Sequence, residues 1–195
     1  MNGVARMSML ASLVIACAEQ APAGDMADSE EVPAVEAAPT DRISVAMNAA
    51  PPAISADATI MDFDDAGNLV ELRAGTNGWL CLPDASPPAP GDAPLCVDAA
   101  WQQWFDAYMK QEAPVISGVG MSYMLMGGPA ASNTDPFAET PAPGEDWIQD
   151  GPHVMVIVPD PAMLNAFPTD HMSGGPYVMW KGTPYAHLMV PVNTN

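Results

Sequence analysis

Basic residues are scarce in this sequence, and their scarcity excludes a class of partners. Five Lys and Arg stand against 24 Asp and Glu, which gives a net charge of −19 at pH 7. Because contacts with phosphates need cations, we expect no nucleic-acid partner. Electrostatic attachment to anionic lipid is disfavoured for the same reason. Residues 55–195 keep the imbalance, with 17 acidic and three basic side chains.

Aromatic side chains are absent from the first third of the chain. All five Trp, four Tyr and four Phe lie at or after Phe63. Residues 18–54 are rich in Ala, Pro and acidic side chains, which bury too little apolar area to offset the entropy of ordering. The composition therefore predicts a disordered tether up to residue 54 and a single globular domain over residues 55–195.

The N-terminus has the pattern of an export signal over residues 1–16. A single Arg6 precedes ten mostly apolar residues, a run well short of the ~20 residues that span a bilayer. Residues 14–17, Val-Ile-Ala-Cys, resemble a bacterial lipobox, in which cleavage before the Cys leaves its thiol to carry lipid. The resemblance implies a lipid on Cys17 and a tether over residues 17–54. The alternative is an ordinary secretory signal cleaved nearby, which would discard Cys17.

The lipobox resemblance also implies a location. Ala18 rather than Asp follows the Cys, and by resemblance to lipoprotein sorting this points to the bacterial outer membrane, on its periplasmic or surface side. The sequence has no second apolar run of spanning length, so the lipid would be the only membrane anchor.

Cysteine is rare, and its pattern favours one disulfide. With Cys17 lipidated, only Cys81 and Cys96 remain, in a chain exported to an oxidising compartment. A bond between them would close a 16-residue loop and contribute about 3 kcal/mol by the chain-entropy model. The alternative is a pair of metal thiolates, but neither Cys has a second Cys or a His at ligand spacing.

Residues 98–111 form the one clear helix of the sequence. Trp101, Trp104, Phe105 and Tyr108 recur at helical spacing and give a broad aromatic face. Asp98 lies at the positive end of the helix dipole. The face packs on a sheet in one interpretation and forms a ligand platform in the other.

Short apolar runs between Pro and Gly predict the strands. The sequence predicts an α+β fold, an antiparallel sheet of about six or seven strands with one principal amphipathic helix and one disulfide. The predicted strands are residues 59–63, 69–73, 78–82, 118–126, 153–158, 177–180 and 185–190. The first two strands form a hairpin, and the last two are close enough in the sequence to pair. The long loop 127–150 has either a functional or a purely structural role.

Two short motifs carry the most specific chemistry of the sequence. His153-x-Met155 and His187-x-Met189 each lie in a predicted strand, where residues two apart share a face. If the strands are neighbours, two imidazoles and two thioethers converge, a ligand set that suits Cu(I). The alternative is that Met fills the core and each His is held by a structural hydrogen bond.

These motifs are similar to the His, Met and His-x-Met signature of periplasmic copper(I) chaperones. Met163 would be the middle residue of that signature, although the spacing does not coincide and the helix and disulfide are not expected of a cupredoxin-like fold. The leading interpretation needs no cofactor. Copper is the possible one, with His153, Met155, His187 and Met189 as its ligands.

The sequence favours a non-enzymatic role. We expect an exported binding or envelope-associated module whose partner is an envelope protein or a small ligand. The rival hypothesis is periplasmic handling of Cu(I). A third hypothesis is a hydrolase in which His171, beside Asp170, acts as general base, but the sequence contains no nucleophile motif.

Overall fold

The fold is α+β, as the sequence predicts, and consists of one large sheet with few helices. The computed structural model describes residues 39–85, 93–144 and 146–192. The helices are α1 (Pro39–Met47), α2 (Pro52–Ser55) and α3 (Ala99–Met109), with 3₁₀ turns at Pro161–Ala166 and His171–Ser173. The strands are β1 (Thr59–Phe63), β2 (Leu69–Arg73), β3 (Leu80–Leu82), β4 (Leu95–Val97), β5 (Gly120–Met124), β6 (His153–Ile157), β7 (Tyr177–Met179) and β8 (His187–Pro191).

All eight strands belong to one sheet, in the order β2-β1-β3-β4-β5-β6-β8-β7. The predicted β1–β2 hairpin and the pairing of the last two strands are confirmed. The sequence prediction differs in two respects, since β1 and β3 run parallel and β4 is an additional strand. β4 is only three residues long and follows a Pro-rich loop, so the sequence shows no alternating pattern that would predict it.

Helix α3 is confirmed, with its aromatic face against the sheet. The Asp98 carboxylate caps the helix by accepting a hydrogen bond from the Trp101 backbone N–H, and its second oxygen accepts from that of Met121 on β5. The helix lies close to β5 because Gly120 has no side chain. A Cβ there would lie 2.7 Å from Ile157 Cγ1 and 3.0 Å from the Trp101 nitrogen.

The predicted disulfide is present between Cys81 and Cys96. The two residues face each other in the β3–β4 ladder, and both are fully buried. The bond therefore joins two neighbouring strands of the sheet directly.

Residues 39–54 differ from the prediction of a disordered tether. They form α1 and α2, and Ala46, Ala49 and Ala50 are buried in a cluster with the disulfide. Arg42 anchors α1 through an ion pair with Asp62 at 2.8 Å. The prediction was wrong here because it counted only large side chains, whereas small Ala side chains let a helix pack closely on the sheet.

The export signal, Cys17 and the tether up to residue 38 lie outside the described residues. Within the part of the chain that the structure describes, no helix has the length and apolar character needed to cross a bilayer.

Candidate functional site

The two His-x-Met motifs lie on adjacent strands and on the same face of the sheet. β6 and β8 are antiparallel neighbours, and Met155 stands directly opposite Met189. Burial alternates along both strands, so that His153 lies on the same buried face as Met155, and His187 on the same buried face as Met189. All four side chains are at most 8% exposed. The sheet therefore brings together the four residues that the sequence singled out.

The arrangement of the four residues is symmetric about the methionine pair. In an antiparallel ladder a local twofold axis runs between directly opposed residues. Because each His precedes its Met by two residues, the axis between Met155 and Met189 relates His153 to His187. The two imidazoles thus lie on opposite sides of the thioether pair.

Both imidazoles are held in the same way by their own strands. The Nδ1–H of His153 donates to the Gly151 carbonyl at 2.7 Å, and that of His187 donates to the Tyr185 carbonyl at 3.0 Å. A carbonyl only accepts, so a neutral ring carries its proton on Nδ1 and keeps the lone pair on Nε2. Neither Nε2 hydrogen-bonds to any described residue. This is the second-sphere geometry that commonly orients metal-binding imidazoles.

Burial keeps both imidazoles neutral. Desolvation lowers the pKa of His187 to about 4, opposed by its hydrogen bond to the Tyr185 carbonyl and reinforced by the repulsion that His153 would exert if both rings were protonated. Desolvation also lowers the pKa of His153, against smaller raising effects of the Gly151 carbonyl and the Asp150 carboxylate. Each Nε2 is therefore available as a ligand at neutral pH without first losing a proton.

The four side chains line a cavity of about 670 Å³ between the sheet and helix α3. Its volume falls within the range of small-molecule sites, about 300–1,000 Å³. Two further methionines of the same sheet face, Met124 and Met179, also line it. The cavity thus has a floor of thioethers and imidazoles.

Aromatic rings form the wall above His187. The rings of Trp104, Tyr108 and Trp180 are parallel to within 5°, with centroids 5.4–6.2 Å apart. The imidazole of His187 meets the rings of Trp101, Trp104 and Trp180 nearly at right angles. Trp180 has a φ of 58°, a left-handed conformation that bulky residues seldom adopt, and its indole N–H donates to the Ser132 carbonyl.

The long loop 127–150 closes the other side of the cavity. A β-bridge joins Ala131 to Ile148, and the Tyr108 hydroxyl donates to the Pro136 carbonyl at 2.9 Å. The loop contributes Gly128, Ser132 and Trp147, among other residues, to the lining. The loop is therefore anchored to the domain, and its described residues also line the cavity.

The charges of the lining residues are all negative. Asp135, Glu139 and Asp150 border the cavity, and no Lys or Arg is among its described lining residues. Carboxylates at a low-dielectric opening attract cations. The described residues contain no group of three or more His, Cys, Asp or Glu that would hold a harder metal.

Two residues named in the sequence analysis lie elsewhere. Met163, the middle residue of the chaperone-like signature, is 64% exposed on the turn Pro161–Ala166 and does not line the cavity. His171 is exposed on the turn His171–Ser173, where the Asp170 carboxylate accepts from the Met172 backbone N–H.

Two further methionines, Met124 and Met179, lie beside the histidines, and the two His-x-Met motifs alone do not predict this. Met124, on β5, stands directly opposite His153 of β6. Met179, on β7, stands directly opposite His187 of β8. Both side chains are buried among the core residues. Their positions in predicted strands are a signal in the sequence, but only the strand order gives each of them its His neighbour.

No protein-family model, no curated protein and no solved structure matches this chain.

Proposed function

We propose that this protein is a non-enzymatic binding module that binds Cu(I) on the floor of its cavity. The single observation that carries the proposal is the common face of His153, Met155, His187 and Met189 on paired strands, with both imidazoles anchored through Nδ1. Two neutral imidazoles and two thioethers are soft to intermediate ligands, which favour Cu(I) over Mg²⁺ or Ca²⁺.

The surroundings of these ligands support a monovalent soft cation. The thioethers carry no charge, and both imidazoles are neutral, so the ligands themselves supply no negative charge. Asp135, Glu139 and Asp150 supply it at the cavity lining, next to the aromatic side chains of the wall. A site of this kind attracts a cation electrostatically and retains it through its soft ligands.

The experiment is a titration of the full-length, disulfide-bonded chain with Cu(I) in anaerobic buffer, against a competing chelator. Zn(II) serves as the comparison metal. We expect tight Cu(I) binding and much weaker Zn(II) binding, because Zn(II) has few thioether sites in proteins and prefers imidazole, thiolate and carboxylate.

The decisive variant is Met155→Leu together with Met189→Leu. Leu nearly conserves the volume of Met, so the fold should survive while both central sulfurs are lost. Met163→Leu together with Met172→Leu is the matched control, since both residues are exposed and neither lines the cavity. Retention of full Cu(I) affinity in the first variant contradicts the proposal.

A second candidate function is the binding of a small apolar molecule in the same cavity. The observation that favours it is the size of the cavity together with the parallel rings of Trp104, Tyr108 and Trp180. A neutral fluorescent probe such as N-phenyl-1-naphthylamine tests it. Saturable fluorescence enhancement that Trp104→Ala abolishes supports this function, and enhancement that Cu(I) suppresses locates both ligands in one cavity.

We further propose that the module is exported and lipid-anchored through Cys17, on the outer membrane. The apolar run before Cys17 and the buried disulfide support this location, since disulfides persist in oxidising compartments. Mass spectrometry of the protein recovered from membranes should find acyl chains on an N-terminal Cys17. Recovery of a soluble protein that begins after Cys17 contradicts the anchor and leaves export intact.

A further inference from the structure

The two histidines are widely offset along the β6–β8 ladder. His187 is the next residue beyond the Val156–Leu188 pair, which places it beside Ile157, four residues from His153. At about 3.4 Å per residue, that offset amounts to about 14 Å along the backbone. Moreover, each ring is tied through Nδ1 to the carbonyl two residues earlier on its own strand, on the side away from the methionine pair.

Each imidazole instead has a methionine of its own on the neighbouring outer strand. Met124 on β5 is the direct cross-strand partner of His153, and Met179 on β7 is that of His187. Directly opposed residues have Cβ atoms about 4.5–5.5 Å apart, close enough for an imidazole and a thioether to bind one ion. The local twofold that relates the two His also relates these two Met.

The contacts around Gly128 independently show that Met124 and His153 converge. A Cβ built on Gly128 would lie 3.6 Å from Met124 Cε, 4.0 Å from Met124 Sδ and 3.7 Å from His153 Cε1. The thioether and the imidazole edge thus border the same small space, which the glycine leaves open toward the cavity.

Building on the proposed function, we infer that the floor binds two Cu(I) ions rather than one. The first ion takes His153 Nε2 and Met124 Sδ, and the second takes His187 Nε2 and Met179 Sδ. The thioethers of the central pair, Met155 and Met189, lie between the two ions and complete one ligand set each. The three carboxylates of the lining offset the second positive charge.

The number of Cu(I) equivalents bound by the full-length chain tests this inference. We expect two tight equivalents per chain, one in the Met124→Leu variant and one in the Met179→Leu variant. Met121→Leu is the control, because Met121 is on β5 but on the opposite, partly exposed face. X-ray absorption of the half-loaded variants should report one imidazole and two sulfur ligands per copper.

The possible results separate this inference from the proposed function. A single equivalent that Met124→Leu and Met179→Leu both leave intact overturns the two-ion inference while Cu(I) binding stands. Two equivalents that survive both substitutions overturn the assignment of Met124 and Met179. Absence of Cu(I) binding in a folded chain, checked by its thermal unfolding, overturns both proposals.

Discussion

Met155 and Met189 face each other across the β6–β8 ladder, and the local twofold between them relates His153 to His187. The same operation relates Met124 to Met179, on the two strands that flank the pair. The candidate site is therefore a symmetric set of two imidazoles and four thioethers on a single sheet face. An antiparallel ladder produces such symmetry whenever the same motif occurs on both strands at the same offset from the pairing centre.

The buried imidazoles should make the stability of the metal-free protein depend on pH. Burial lowers the pKa of His187 from 6.5 to about 4, so the unfolded chain binds a proton that the folded chain does not. The free energy of unfolding is therefore highest above pH 6.5, where His187 is neutral in both states. It falls by on the order of 3 kcal/mol as the pH drops toward 4. Urea unfolding of the wild type and of His187→Gln across this range measures it. Equal slopes in both proteins contradict the prediction.

A methyl group at Gly128 should weaken Cu(I) binding beside Met124 without unfolding the protein. In Gly128→Ala the new Cβ makes ordinary contacts with Met124 and His153 at 3.6–4.0 Å, in the space that an ion would need. We expect one of the two equivalents to lose about tenfold or more in affinity, which corresponds to about 1.4 kcal/mol. Cu(I) titration measures the effect, and Gly118→Ala, where a Cβ meets nothing within 4 Å, is the control.

Removal of the Asp98 carboxylate should destabilise the helix that roofs the cavity. Asp98→Ala removes the hydrogen bonds accepted from the Trp101 and Met121 backbone N–H groups. The expected loss in the free energy of unfolding is about 1–2 kcal/mol. Asp106→Ala in the same helix removes only an exposed i,i+4 ion pair with Lys110, and because solvent screens such pairs we expect a much smaller loss. A similar loss in both variants, measured by urea unfolding, contradicts the role of the cap.

Enlargement of Ala46 should distinguish a packed α1 from a disordered tether. Ala46 is fully buried, and its carbonyl oxygen lies 3.8 Å from Cys96 Sγ. Ala46→Leu forces extra volume into this contact and should cost about 1–3 kcal/mol of unfolding free energy. Asn48→Leu, at the exposed residue directly after the same helix, should change stability by less than about 0.5 kcal/mol. No loss in Ala46→Leu would show that this helix does not pack as described.

Periodicity and turn residues were sufficient to predict much of the fold. Strands such as Thr59–Phe63 and helix α3 have patterns of at least five residues with clear boundaries, so local physics specifies them. β4 is too short to show a pattern, and the packing of Ala46 and Ala49 depends on a partner surface that only the folded sheet provides. The parallel pairing of β1 with β3 is likewise a long-range choice.

The sequence by itself was sufficient to single out His153, Met155, His187 and Met189 as candidate ligands, to pair the two cysteines and to show the scarcity of cations, because each depends only on residue types and their spacing. The tertiary structure decided that β8 lies between β6 and β7, and that order sets Met189 opposite Met155 and His187 opposite Met179. Strand order depends on the packing of the whole sheet and on long-range chain connections. Local patterns in the sequence therefore leave it open.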